Sequence, residues 1–327
     1  MPAITNSSVV LPVEYSREIQ KGIIGRSKAL ELGKRLPDMI GKTFKLNVMQ
    51  HLPIAGWVKN QTTPAGAPDE IKHKPLSVLA WEGVDLVAEE ISVIVPVSIN
   101  TLRDVENYVD IVPQINEEVI GAFDQVIDST LLFGTNSPWN NYSGIVAGAT
   151  SAGAVVQWNG QGGRSFYDAI SAAMEYVETS GFMPDAILGA PSINAAFRGS
   201  ITDMGVNVAD QGEVGALARH VDFTGGFDTS SAFAIVGDFK RGLVYAFRQE
   251  MEVRLLEEAT LYDAATGTTY YLAQQDMVAF RFTMRLGAAL PNPVTRVSGV
   301  LSSDGKYIEK GTSAYPFAVI TKSGASA

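Results

Sequence analysis

His51, His73 and His220 are the only three histidines in a chain of 327 residues. None forms an HExxH or any other paired-ligand spacing, so no metal centre is expected. The chain has no cysteine, which excludes thiolate nucleophiles, disulfides and sulfur-ligated metals. No serine sits in a G-x-S-x-G elbow. A Ser-His-Asp triad would have to recruit His51 or His220 across the fold, and the sequence neither supports nor forbids that. The adjacent pairs Glu89-Glu90, Glu117-Glu118 and Glu257-Glu258 cannot face each other on a strand or helix, so they read as solvated faces. GQGGRS at 160–165 precedes a helical pattern, yet it lacks both a Walker lysine and the G-x-G-x-x-G spacing and reads as a plain loop. No catalytic constellation emerges. The expectation is a protein that is not an enzyme and uses no cofactor.

Composition points the same way. The hydrophobic content of 46% is that of a folded protein, long enough for one large domain or two ordinary ones. With 25 Lys+Arg against 35 Asp+Glu the net charge is −10, and no basic run is present, which disfavours binding to phosphate backbones. No charged leader precedes an apolar core, and no apolar run reaches the ~18 residues needed to cross a bilayer. A soluble, cytosolic product with no membrane association is expected.

The element that must position everything else is the stretch 110–136. Gln114, Glu117, Glu118, Gly121, Asp124, Gln125 and Asp128 recur at steps of three and four and predict a solvated face. Two apolar rows lie between them, Val112, Ile115, Val119, Ala122 and Val126, then Ile120, Phe123, Ile127 and Leu131. Asp110 suits an N-cap, Pro113 the first turn and Gly134 a stop, which predicts a helix over 111–133, about 35 Å long and lying on a sheet.

Around it, a strand within 44–59 is answered by one over 84–98, where Ile91, Val93, Val95 and Val97 share a face and Pro96 marks an edge or an end. The turn-rich segment 59–75 between them is too long for a tight hairpin. A two-stranded arm of this kind is marginal alone and needs another surface to lie on. Trp57, Trp81 and Trp139 flank this arm and the loop after the helix, positions suited equally to an interface or a core. Further on, a helix is predicted from about 165 to 180, and strands at 186–189, 233–239, 243–247, 251–256, 278–286 and 315–320. Ser303-Asp304-Gly305 reads as a hairpin turn, and the 278–286 strand is expected beneath the long helix.

In order along the chain, SKALELGKRLP, LPIAGWV, AWEGVDLVAEEISVIVPVS, LLFGTN with Trp139 and Gly144 beyond it, ILGAPSINAAFR, AIVGDFKRGLVY and QDMVAFRFTMRLG resemble the major capsid proteins of tailed bacteriophages with the Hong Kong phage (HK-ninety-seven) fold. The resemblance covers about residues 14 to 320. It implies an α+β capsid fold divided into an N-terminal arm (1–43), an extended E-loop hairpin with flanking strands (44–97), the spine helix of a peripheral domain (98–149), an axial domain (150–262) and peripheral return strands with the C-terminus (263–327).

It also implies a structural role: pentamers and hexamers closing an icosahedral shell around double-stranded DNA, held without sequence-specific contacts, in the virion after assembly in the host cytoplasm. The expected partners are further copies of the chain, a separate scaffolding protein, a portal and, in some members, a decoration protein. Intersubunit contacts are expected at Trp57, Lys59, Asp69, Glu70, Lys72, Lys74 and Trp81. Some members weld subunits through a Lys–Asn isopeptide bond; Lys59, Lys72 or Lys74 could supply the amine, but YYLAQQD offers Gln274 and Gln275 and no Asn, so the weld is not expected. A nanocompartment shell of the encapsulin type and, more remotely, an enzyme with a loop-built site are the alternative readings.

Overall fold

The computed structural model describes residues 23, 25–58, 73–100, 111–140, 142–159, 164–199 and 217–322. The first half runs α1 (Lys28–Leu32), β1 (Lys34–Arg35), β2 (Thr43–Pro53), β3 (Ala80–Val87), β4 (Glu89–Ser98), α2 (Ile111–Phe133), α3 (Ile145–Ser151), β5 (Val155–Trp158) and α4 (Arg164–Thr179). The second half runs β6 (Ala186–Gly189), α5 (Ile193–Arg198), β7 (Ala218–Val221), β8 (Ala234–Gly237), α6 (Phe239–Gly242), β9 (Val244–Leu256), β10 (Thr260–Asp263), β11 (Thr268–Tyr271), β12 (Met277–Ala289), β13 (Val300–Leu301), β14 (Tyr307–Glu309) and β15 (Phe317–Lys322). They form three larger sheets, β1-β9-β12-β4, β13-β14-β2-β3 and β5-β15-β8-β6-β7, and the small hairpin β10-β11.

Helix α2 is described over Ile111–Phe133, the Asp110 cap lying outside the described residues, and it stops where the backbone enters the left-handed region at Gly134 (φ 73°). A Cβ on Gly134 would lie 2.3 Å from the Ser143 carbonyl oxygen, so the turn beyond the helix closes only around glycine. The second apolar row carries the packing. Phe123, Ile127 and Leu131, with Val119, enter one core with Phe247 and Val253 of β9 and Phe282, Met284 and Leu286 of β12. Each fully buried aliphatic or phenyl side chain contributes about 1.5–3 kcal/mol.

The predicted solvated face is corrected at two positions. Asp124 and Asp128 are fully buried, whereas Val126 is 49% exposed and Ala122 is exposed. The helix is rotated because the arm around α1 covers the side that carries the two aspartates.

The stretch 84–98 is two strands rather than one. β3 pairs antiparallel with β2, from Thr43↔Val87 to His51↔Ala80, while β4 pairs with β12 in another sheet. Between them the Ala88 N–H donates to the Lys42 carbonyl. Pro96 lies on β4, the edge strand that the missing N–H requires. The expected pair 243–247 and 251–256 is likewise one strand, β9; the polar residues Arg248, Gln249 and Glu250 sit at a register shift against β12, not at a turn.

β9 joins β12 and β4, so the chain changes sheet at α6. The last strand, β15, lies in the five-stranded sheet, parallel to β5 and antiparallel to β8. Helix α4 ends at Gly181 (φ 79°) and the turn at 303–305 joins β13 to β14, as expected, whereas α3, β5, β7, α6 and the β10-β11 hairpin are elements the sequence did not predict.

Candidate assembly interface

The β2–β3 ribbon rises from a braced root. At that root Leu86 is fully buried with Met39, Ala88, Val244, Ala246 and Ala289. The Trp139 indole donates to the Val87 carbonyl at 2.7 Å, and the Tyr142 hydroxyl donates to the Leu131 carbonyl at 2.7 Å. The loop after α2 therefore clamps the end of the helix to the foot of the ribbon. Trp139, read as interface or core, serves this clamp.

Higher up, β14 adds to β2 through Tyr307↔Pro53 and Ile308↔Leu52. The Ser77 hydroxyl donates to the Lys306 carbonyl at 2.6 Å and accepts from the Ile54 N–H at 2.8 Å, and Arg296 donates to the Pro53 carbonyl at 3.0 Å. His51 stacks on Tyr307 at 4.0 Å between ring centres. The arm is thus wider than two strands at this level, because the 300–309 hairpin supports it.

Along the ribbon, from its root to beyond the brace, large apolar side chains stand uncovered by the described residues. Trp57 is 82% exposed, Leu76 78% and Trp81 58%, with Phe44, Met49, Val78 and Leu79 also in water. Lone exposed apolar residues need no explanation, but a contiguous set on one ribbon marks a binding surface. Of the residues singled out in the sequence, Trp57, Lys74 and Trp81 stand exposed on this ribbon or its continuation. Lys59, Asp69, Glu70 and Lys72 lie outside the described residues. Phe44, Met49, Leu76, Val78 and Leu79 were missed, although the run LSVLAW at 76–81 was the available signal.

A cleft of about 420 Å³ runs beside the root, between the ribbon and the post-helix loop, and is lined by Glu82, Asp85, Glu89, Pro138, Trp139 and Tyr142. Two of its acids are paired across the ribbon foot, Glu89 with Lys42 at 3.6 Å and Asp85 with Lys45 at 3.9 Å. These exposed pairs are worth little individually. Among the described residues no group of three or more His, Asp or Glu could hold a metal ion, and no helix is long and apolar enough to cross a membrane. The chemistry this surface offers is apolar burial with a charged rim, which is the make-up of a protein–protein contact.

An α+β body with a long helix on a sheet, a five-stranded second sheet and a projecting apolar ribbon defines the class of shell-forming capsid subunits. The chain belongs to the phage capsid family, whose sequence profile matches residues 7–294. It is a structural major capsid protein with the tailed-phage capsid fold, and its place is the virion capsid. A solved structure from Microbacterium phage Oxtober96 is 29% identical with a TM-score of 0.72, covering 91% of each chain. One from Mycobacterium phage Cain is 25% identical with a TM-score of 0.75, covering 91% of this chain and 90% of the other. The fold also extends to the capsid of a native GTA particle, 12% identical with a TM-score of 0.55 over 91% of both chains. No curated protein matches the sequence.

Proposed function

We propose that copies of this chain associate head-to-tail into rings of five and six, and that these rings close an icosahedral shell around packaged double-stranded DNA. The single observation that carries this reading is the uncovered apolar ribbon, with Trp57, Leu76 and Trp81 more than half exposed. A ribbon of this composition gains its stability by lying on a neighbouring subunit. Contacts by Trp57, Lys59, Asp69, Glu70, Lys72, Lys74 and Trp81 belong to that overlap. Because each subunit touches several neighbours at once, individually modest contacts suffice.

The net charge of −10 suits a wall that must neither hold DNA during packaging nor retain it at release. A scaffolding protein and a portal are the partners proposed for assembly in the host cytoplasm. The role is structural, and no catalysis is proposed. Deleting residues 61–70 is expected to leave a folded subunit that forms no shells when co-expressed with its scaffold, as read by electron microscopy and light scattering. Normal shells from that deletion would refute the overlap, and particles filled with protein cargo instead of DNA would favour a nanocompartment.

A further inference from the structure

Three carboxylates meet out of solvent where the arm crosses α2. Asp124 and Asp128, one turn apart, are fully buried, and Asp222, just past β7, is 1% exposed. Asp128 is the hub. Its Oδ1 accepts from the Ser27 hydroxyl at 2.6 Å and the Ala29 N–H at 3.0 Å, and its Oδ2 from the Lys28 N–H at 3.1 Å. The Thr224 hydroxyl lies 2.6 Å from Asp222 Oδ1 and 3.4 Å from Asp128 Oδ2. The start of α1, the middle of α2 and the turn at 222–226 are therefore tied at one point, although they are 101 and 96 residues apart from Asp128 in sequence. The turn sits so close that a Cβ on Gly226 would lie 2.9 Å from the Asp128 Cβ.

Among the described residues the hub is short of positive charge. Neither oxygen of Asp124 has a hydrogen-bond partner among the described residues, nor has Asp222 Oδ2. From the arm, Arg26 and Lys28 approach, but Arg26 is held by Glu117 at 2.7 Å and Lys28 by Glu31. Glu31 also lies 4.0 Å from His220 of β7. From α2 itself come Glu118 and Asp128, and from the turn Asp222. Burial, then the neighbouring Asp128, push the Asp124 carboxyl up to about 8 against the pull of Arg26. Burial pushes Asp128 up to about 6, against the hydrogen bonds from Ser27, Ala29 and Lys28. A cavity of about 620 Å³ lies beside Asp124, lined by Arg26, Gln125, Phe223 and Thr224.

We propose that this junction is a proton-controlled latch: a protonated Asp124 keeps α1 seated on the long helix, and loss of that proton sets like charges together in a dry site and releases the arm. In a released arm Asp124 meets water and ionises near its ordinary 3.8. Between that value and about 8 the released state binds fewer protons than the seated one, so release becomes easier as pH rises through this window and levels off above it. The inference extends the assembly reading, since a released arm is free to reach another copy, but its test needs no shell.

The test is amide exchange of the full-length chain at Lys28 and Ala29, whose N–H groups bind Asp128, with rates corrected for intrinsic exchange at each pH. Protection is expected to fall about tenfold or more between roughly pH 6 and pH 9, a tenfold change being what one unit of a single group's shift can supply. Asp124→Asn is expected to hold its pH 6 protection throughout. A flat wild-type profile, or an equal fall in Asp124→Asn, would overturn the latch. If that variant does not fold, carboxyl-carbon resonances of the wild type decide: one aspartate titrating near 8 supports it, and all titrating below about 5 overturns it.

Discussion

Replacing Trp57 by alanine tests the ribbon at its most exposed large side chain. A tryptophan offers roughly 150–250 Å² of surface, and 82% of Trp57 is in water on the isolated subunit. If a neighbour covers half of it, about 100 Å² leaves solvent, worth roughly 2.5 kcal/mol at ~25 cal/mol per Å². In the proposed overlap each subunit gives one ribbon and receives one, so one such contact is lost per subunit. At about 1.4 kcal/mol per tenfold, the concentration at which shells first form should rise roughly 60-fold. The assay is light scattering over a dilution series, with urea unfolding of the unassembled subunit alongside. Because Trp57 supports little within its own chain, the subunit's unfolding midpoint should stay unchanged. An unaltered assembly threshold would refute the reasoning, and so would a loss of subunit stability large enough to explain the assembly defect.

Two substitutions probe the body that holds the ribbon. Gly134→Ala puts a Cβ 2.3 Å from the Ser143 oxygen at a φ of 73°, and it should cost about 3 kcal/mol or more of subunit stability, read as a lower urea midpoint with an unchanged slope. Phe282→Ala removes a ring that is 1% exposed between the long helix and its sheet, with an expected loss of about 3–5 kcal/mol by the same measurement. A change under about 1 kcal/mol in either would mean that the core around α2 is looser than its burial implies.

What was legible in the sequence was local. The C-terminal end of α2 could be read because a glycine after Phe133 satisfies a helix end by itself. The break at Ala88 was also written in the chain, though as a phase and not as a breaker. Val84, Leu86 and Ala88 keep the even positions inward, and Ile91, Val93, Val95 and Val97 the odd ones. A strand changes phase without turning its apolar set to solvent only at a bulge or by moving to another sheet, and here it moves to another sheet.

Pairings such as Val319 with Val155 were not legible, because register between segments so far apart is decided by the whole fold. The burial of Asp124 and Asp128 was hidden for the same reason. Three and four-residue spacing identifies a face, but which side of that face is wet depends on the arm, whose Ser27 meets Asp128 from 101 positions away. The ribbon shows the converse. Its flanking strands were visible, and they read as an arm that needs another surface to lie on. Only the fold reveals that nothing in the described chain covers Trp57, Leu76 or Trp81. A sequence pattern that asks for burial, set in a fold that leaves it exposed, is the physical signature of a surface completed by another subunit.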